Sequence, residues 1–524
     1  MKTVSSSAGL CLITVLICLF SLTPDGQSAD DVTPNTAHPI HVSVQLLHKS
    51  PVPDPKRSEY EDCLYTAKAR VLEIQAGIRI EREIVILLPA FFKRRLQPEA
   101  AFSMGQVIEA DVIPHGGADA RRKQLQRSDD VKEFDLPLYD SLHARLVEKK
   151  SDDFAPQPDS YFASKEATAM PQSPVRHALS AKVVSERQSA IVHDKQEILK
   201  ALKDHGGKWD AWQDSLQPFY RDLLNQVKAS PDGFLRKGGC FFKSLRATGY
   251  KDLSDNFKSD TPGPLKMLIS MSRQLRERGI DLIVVPFPNK EDTNAEIFSK
   301  LAPADGWFLP YRQWFLLQLL EADVEVIDLI RPLREARSKF PSVFYDEHDH
   351  HPADGGIQVA AEQITRRLAR YELAKDAKNG PIDLRLNPSS FLKSIDEKNE
   401  VRCPATQILT ADGNPLHIND NTGSPVVILG DSFTQVPAVY PHSVEGAALP
   451  MHVAYLSGVV PDRLSNMGSS DKAMTLLARE GGDFLANRRV LVFVFAPNRL
   501  FGQDSGRGDE KWNLVNLPPL PLKP

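Results

Sequence analysis

Residues Val426 to Phe433 read Val-Val-Ile-Leu-Gly-Asp-Ser-Phe, so that a hydroxyl, Ser432, arrives two residues after an apolar run stops at a glycine. That placement suits a nucleophile. A short β-branched and aliphatic run bounded by turn residues reads as a central strand, and in open α/β sheets chemistry gathers just beyond the carboxyl ends of such strands. The same residues also describe an ordinary strand followed by a turn and a helix N-cap, where Asp and Ser are favoured for local reasons. A serine hydroxyl becomes reactive only when an imidazole takes its proton and a carboxylate holds that imidazole. A nucleophile at Ser432 therefore requires a His and an Asp from elsewhere in the chain.

The densest run of acids and imidazoles is Tyr345-Asp346-Glu347-His348-Asp349-His350-His351-Pro352. An Asp and a His two residues apart in an extended loop project to the same side, so the carboxylate can reach Nδ1 while Nε2 points outward. Asp349 with His351 has this spacing, and so does Asp346 with His348; spacing alone does not choose between them. Two other readings are a solvated polar loop and a metal shell, since His and carboxylates hold zinc or iron. The helical His-x-x-x-His pattern is absent, and Cys63, Cys240 and Cys403 have no ligand spacing, so neither a metal nor a cofactor is expected. Asn289 and Lys290 follow another strand and could approach such a site, but they read first as surface residues of a turn.

The elements that position these residues are legible from pattern. A length of 524 residues implies about two to four domains. Apolar content of 41% with 25% charged residues is globular, and a net charge of −4 offers no basic footprint for nucleic acid. Lys2, the apolar run Leu10 to Phe20 and the small pair Gly26 and Ser28 read as a signal peptide over 1–28, implying a periplasmic or otherwise exported protein, with an uncleaved membrane anchor as the alternative. The run is short for a bilayer, which takes about 20 residues, so no transmembrane span is expected in the mature chain. Strands at Ile40 to Leu47, Ala67 to Gln75, Glu83 to Leu88 and Val107 to Ile113 predict a small β-sandwich or barrel module over 39–114, with a positioning or binding role. The charged, Pro-rich stretch 115–180 reads as a linker. After a helical region from Ser185 to Lys228, strands at 280–285, 324–329, 426–430 and 490–495 alternate with helices at 264–279, 312–322, 356–373 and 469–481. Such alternation predicts a parallel sheet covered on both faces, in a domain over 185–510. The tail after Leu514 reads as irregular.

From about residue 230 to 505 the chain resembles the AlgX/AlgJ type of alginate O-acetyltransferase domain, within the SGNH-hydrolase-like superfamily. The family's serine motif stands here as Gly430-Asp431-Ser432-Phe433. Its earlier motif, roughly Asp-x-His-Trp-x-Pro-x-Gly-Ala leading into a helix, is partly matched by Asp349 to Ile357. That register puts the family's Asp on Asp349, its His on His351 and its helix-leading Gly on Gly356, and so favours this pair over Asp346 and His348. Val284-Val285-Pro286-Phe287-Pro288 and Val490 to Arg499 look like two further strands of the family. Pro352 replaces the family's Trp and Asp354 its Pro, departures that bear on the loop and the acceptor pocket. The roughly 25 residues after Arg499 are too few for a C-terminal carbohydrate-binding module.

The resemblance implies an α/β fold, an SGNH-like doubly wound parallel sheet domain; the small all-β module that precedes it is read from the strand pattern and lies outside the resemblance. It implies an exported O-acetyltransferase that works on an exopolysaccharide through an acetyl-enzyme, with Ser432, His351 and Asp349 as catalytic residues. Its partners would be a polysaccharide acceptor, an acetyl donor and other exopolysaccharide assembly proteins. A carbohydrate or lipid acetylesterase of the same fold is the alternative, and a non-catalytic polysaccharide-binding or assembly protein is a further one.

Overall fold

The first hundred described residues are rich in extended apolar segments, and two of the longest bury most of their side chains. The computed structural model describes residues 38–520, except 57, 59, 75–78, 116–121, 123–124, 149, 156, 158–161, 163–178, 231–233, 238–239, 244–262, 341–342, 345–348, 350, 374–382, 395–399, 419–422, 439–443, 469, 497–511 and 513. The expected signal peptide and the pair Asp346 and His348 lie outside the described residues.

Strands β1 (Ile40–Lys49), β2 (Cys63–Ile74), β3 (Glu83–Phe92), β5 (Val107–Pro114) and β7 (Leu138–Val147) form a closed barrel. Going round, β1 pairs with β2, β2 with β3, β3 with β7, β7 with β5 and β5 with β1; the β3–β7 pair is parallel and the others antiparallel. Val42, Val44, Leu46, Tyr65, Ile86 and Ile108 are among the side chains that fill it. Two short strands decorate the rim, β4 (Arg95–Leu96) on β3 and β6 (Gln126–Ser128) on β2. The barrel thus runs beyond the expected limit at 114, and the stretch 115–180 is not simply a linker. Its residues 126–128 and 138–147 are strands, concealed in the sequence because prolines and acids flank them closely.

Helices α1 (Ala181–Asp204), α2 (Trp209–Ser215) and α3 (Gln217–Ala229) follow. Beyond the small hairpin β8 (Phe234–Lys237) with β9 (Cys240–Lys243), the chain enters its α/β part with α4 (Gly263–Arg276) and β10 (Asp281–Pro286). Next come α5 (Lys290–Phe298), α6 (Pro310–Glu321), β11 (Glu325–Val326), α7 (Ile330–Ala336) and α8 (Asp354–Leu368). A hairpin of β12 (Leu384–Ser394) and β13 (Glu400–Thr410) interrupts the alternation, which resumes with β14 (Val426–Gly430), α9 (Leu449–Ser457), β15 (Asp462–Ser465), α10 (Ala473–Leu485) and β16 (Val490–Phe495). The five sheet strands are all parallel, in the order β11-β10-β16-β14-β15.

Successive residues of the inner strands point into different cores. Leu282, Val284, Val427, Leu429, Leu491 and Phe493 meet α3, α4, α6 and α10 on one face. Ile283, Val285, Val426, Ile428, Val490 and Val492 meet α7, α8 and α9 on the other. Burial on both faces explains why these strands read as continuous apolar runs. Strand β11 is shorter than the six residues expected, because Asp328 turns out of the sheet to accept from Arg312 and from the N–H of Ile330 at the start of α7. The segment 514–520 has no regular structure but is not loose: Val515, Leu517 and Leu520 are buried against α4 and α10, and Arg278 donates to the carbonyl of Leu517. Among the described residues, no helix is long and apolar enough to cross a membrane.

Barrel and sheet belong to one unit, Pro39–Pro524, and are fastened by specific contacts. Arg479 of α10 reaches the Asp129 carboxylate at 3.2 Å and donates to the carbonyls of Val131 and Glu133. Asn466, just after β15, accepts from the Arg127 N–H of β6 at 3.0 Å.

Candidate active site

Strand β14 delivers Ser432 through two constraints. At Gly430 an added Cβ would collide with the Val494 carbonyl oxygen of β16 and the Thr434 methyl, so only glycine lets β14 and β16 approach this closely. Asp431 then tightens the exit from the strand. Its Oδ1 accepts from the Phe433 N–H at 3.0 Å, and its Oδ2 from the Ala496 N–H at 2.9 Å and the Ser470 hydroxyl at 2.6 Å. A carboxylate so engaged is a strut between three segments, and it aims the serine without touching it. Ser432 opens the short 3-10 turn 432–434 and is 2% exposed.

The partner residues come from the loop before α8. Gly356 lets that helix lie directly on the backbone of Val343, where any Cβ would meet the carbonyl oxygen. The Ala353 N–H donates to the same carbonyl at 3.1 Å, and Phe344 bridges Pro352 in a single β contact. Held this way, Asp349 Oδ1 accepts from the His351 N–H at 2.9 Å and from its Nδ1 at 2.7 Å. Nε2 lies 2.8 Å from Ser432 Oγ. Because a carboxylate only accepts, Nδ1 carries the proton and Nε2 is left as acceptor for the serine hydroxyl. His351 is 3% exposed and its ring lies 5.1 Å from Phe433, which itself packs on Phe287 beyond β10. The three residues singled out by the sequence are thus brought together in the order Asp, His, Ser.

Asp354, where the resembling family has proline, ties the start of α8 to the hairpin. Its carboxylate accepts from the Thr406 N–H at 2.6 Å, the Thr406 hydroxyl at 2.8 Å and Gln358 at 2.9 Å. Asn289 and Lys290 are not surface residues of a turn: both are buried, where the chain enters α5, and the Asn289 N–H donates to Asp292 in a capping box.

One contact was invisible in the sequence. The hydroxyl of Tyr60, in the β1–β2 loop of the barrel, donates to Ser432 Oγ at 3.1 Å across 372 positions of chain. A lone tyrosine in a Pro-rich loop carries no motif, and nothing short of the docked barrel relates it to the serine.

A parallel sheet with serine, histidine and aspartate gathered past its carboxyl edge is an arrangement of SGNH-like α/β domains. Residues 251–390 match the family described as SGNH hydrolase-like domain, acetyltransferase AlgX. That stretch includes Asp349 and His351 and ends before Ser432. Among solved structures, the O-acetyltransferase domain of Pseudomonas putida AlgJ is similar over 53% of this chain and 96% of its own, with 17% identity and a TM-score of 0.37. Pseudomonas aeruginosa AlgX is similar over 52% of this chain and 66% of its own, with 14% identity and a TM-score of 0.37. Bacillus cereus PatB1 covers 48% of this chain and 89% of its own, with 13% identity and a TM-score of 0.29. No curated protein matches the sequence.

Proposed function

We propose that this chain is an exported O-acetyltransferase that modifies a polysaccharide through an acetyl-serine intermediate. The observation that carries the reading is the hydrogen-bonded series Asp349, His351, Ser432 at 2.7 and 2.8 Å. The match to an acetyltransferase family supports the group transferred. In the first half-reaction Ser432 gives its proton to His351 Nε2 as Oγ attacks the acetyl carbonyl, and the donor's leaving group departs with that proton. In the second, a sugar hydroxyl gives its proton to Nε2 while its oxygen attacks the acetyl carbon. The bond to Oγ then breaks and Oγ recovers the proton. Asp349 holds the ring and balances its charge when protonated.

The N–H groups of Phe433, Thr434 and Gln435 are committed within the turn, so we assign the N–H of Ser432 as an oxyanion donor. Such a donor contributes roughly 10² to 10³ in rate. Burial of Ser432 and His351 shields an acyl-enzyme from bulk water, which favours transfer over hydrolysis. The test is mass spectrometry after incubation with an activated acetyl ester. Wild type is expected to gain an acetyl group on Ser432 that Ser432→Ala does not; no adduct on wild type, or the same adduct on the variant, ends the catalytic reading. Adding an oligosaccharide should then divert acetyl from water to sugar, whereas release of acetate alone would make the protein an esterase.

A further inference from the structure

We propose that Tyr60 is a catalytic residue of this site, so that the barrel supplies part of the active centre and is more than an accessory. The proposal rests on the acyl-serine reading above and extends it to the module for which no chemistry was expected.

The contact is built from several sides. The Tyr60 N–H donates to the Ser58 hydroxyl at 3.1 Å, and that hydroxyl donates to Gln126 of β6 at 3.0 Å, where Ser58 and Gln126 are both buried. Arg94 donates through its guanidinium to the carbonyls of Ser58 at 2.7 Å and Pro55 at 3.0 Å, and through its N–H to the carbonyl of Glu61 at 2.8 Å. The Lys93 N–H donates to the Asp62 carboxylate at 2.8 Å. Lys93 and Arg94 form the tight turn between β3 and β4 with φ of 47° and 59°, the left-handed region that such turns ordinarily fill with Asn or Gly. If only a turn were needed, glycine would make it without strain. Here the strained pair directs two N–H groups and a guanidinium onto the segment that carries Tyr60. On the far side, Arg127, next to Gln126, is held by Asn466, whose own N–H donates to the Gly430 carbonyl at 3.0 Å. One continuous series, Tyr60, Ser58, Gln126, Arg127, Asn466 and Gly430, therefore sets the phenol against the strand that ends at the nucleophile.

The chemistry follows from which lone pairs are used. Ser432 donates to His351, so Tyr60 donates to a lone pair of Oγ. When Oγ attacks, that hydrogen bond stabilises the developing charge but also withdraws electron density from the nucleophile, and the two effects largely cancel. When the sugar oxygen displaces Oγ, charge grows on the departing oxygen and the phenol only helps. It stabilises Oγ until the proton on Nε2 reaches it, and no proton leaves the tyrosine. Tyr60 therefore accelerates transfer more than acylation.

The experiment is burst kinetics with p-nitrophenyl acetate, with and without an oligosaccharide acceptor, on wild type and Tyr60→Phe, alongside thermal melting. A hydrogen bond to a charged oxygen corresponds to roughly 10- to 100-fold in rate. Tyr60→Phe is expected to keep the nitrophenol burst, to lose roughly that factor in steady-state turnover, and to accumulate acetyl-Ser432 by intact mass. A purely structural tyrosine would lower burst and turnover together, and an unaltered turnover would remove Tyr60 from the chemistry; either result overturns the proposal. Should the variant melt earlier, the same split is required below its transition. Nitrophenol release by Ser432→Ala as fast as by wild type defeats the acyl-enzyme reading itself, whereas a Ser432-dependent turnover that Tyr60→Phe leaves unaltered defeats only Tyr60.

Discussion

Asp431 and Asp349 stand close to the same serine hydroxyl in sequence or space, yet their surroundings give them opposite duties. Asp431 spends its oxygens on Phe433, Ser470 and Ala496, whereas Asp349 gives Oδ1 to His351. Replacing Asp349 by Asn leaves the shape but can hold the ring in the wrong tautomer, so turnover of an activated ester should fall by roughly 10³ to 10⁴ with little change in melting temperature. Gly430 allows no such mildness. Gly430→Ala places a methyl against the Val494 carbonyl, a backbone atom that cannot rotate away. A cost at or above the upper end of overpacking, about 3 kcal/mol, is expected as a lowered midpoint in urea unfolding.

At the level of elements, α8, the β12–β13 hairpin and α9 form one joint behind His351. Asp354→Ala would strip Thr406 of two hydrogen bonds and is expected to cost about 1 to 3 kcal/mol in chemical unfolding. His452 on α9 is buried in the same joint. Burial, opposed by the Asp354 carboxylate and the backbone carbonyls of Thr406 and Ala447, holds its imidazole below the ordinary value of 6.5. The folded state thus binds less proton than the unfolded chain, so stability present above pH 6.5 is lost as pH falls below it. Melting temperatures measured from about pH 7 down to pH 5 should decline, and His452→Gln should flatten that decline. This joint was not legible in the sequence. The strands of the parallel sheet announce themselves because both faces are apolar, and Ser432 is found by standing after one of them. Strands β12 and β13 mix Arg, Asn, Ser and Pro into their runs, and β15 is four residues led by Asp and Arg, so pattern had nothing to grip. Asp349 and His351 were reachable because two residues of extended loop suffice to align them, though Asp346 and His348 share that spacing and only the register of the resembling family's motif separated the pairs. Tyr60 was unreachable because its meaning resides in how two modules dock.

Across the whole molecule, docking depends on a few buried polar contacts. Arg479 and Asp129 are both nearly covered, and Arg479 also lies over the Phe134 ring at 4.7 Å. Arg479→Ala leaves the Asp129 carboxylate buried without its cation, and about 3 to 5 kcal/mol should be lost in thermal unfolding. Strand β16 governs the sheet in another sense. It lies between β10 and β14, which do not touch one another, and Phe495 and Ala496 at its end hold the backbone of Phe287 and the carboxylate of Asp431. It is also the last of the five strands along the chain. A chain in which residues 490–495 are not yet placed would hold at most two half-sheets with open edges, one ending at Phe287 and the other at the nucleophile. Open parallel edges are slow to pair and prone to aggregate. Ser432 is therefore expected to take its fixed position only once residues 490–496 are in place, because the Ala496 N–H anchors the Asp431 carboxylate beside it.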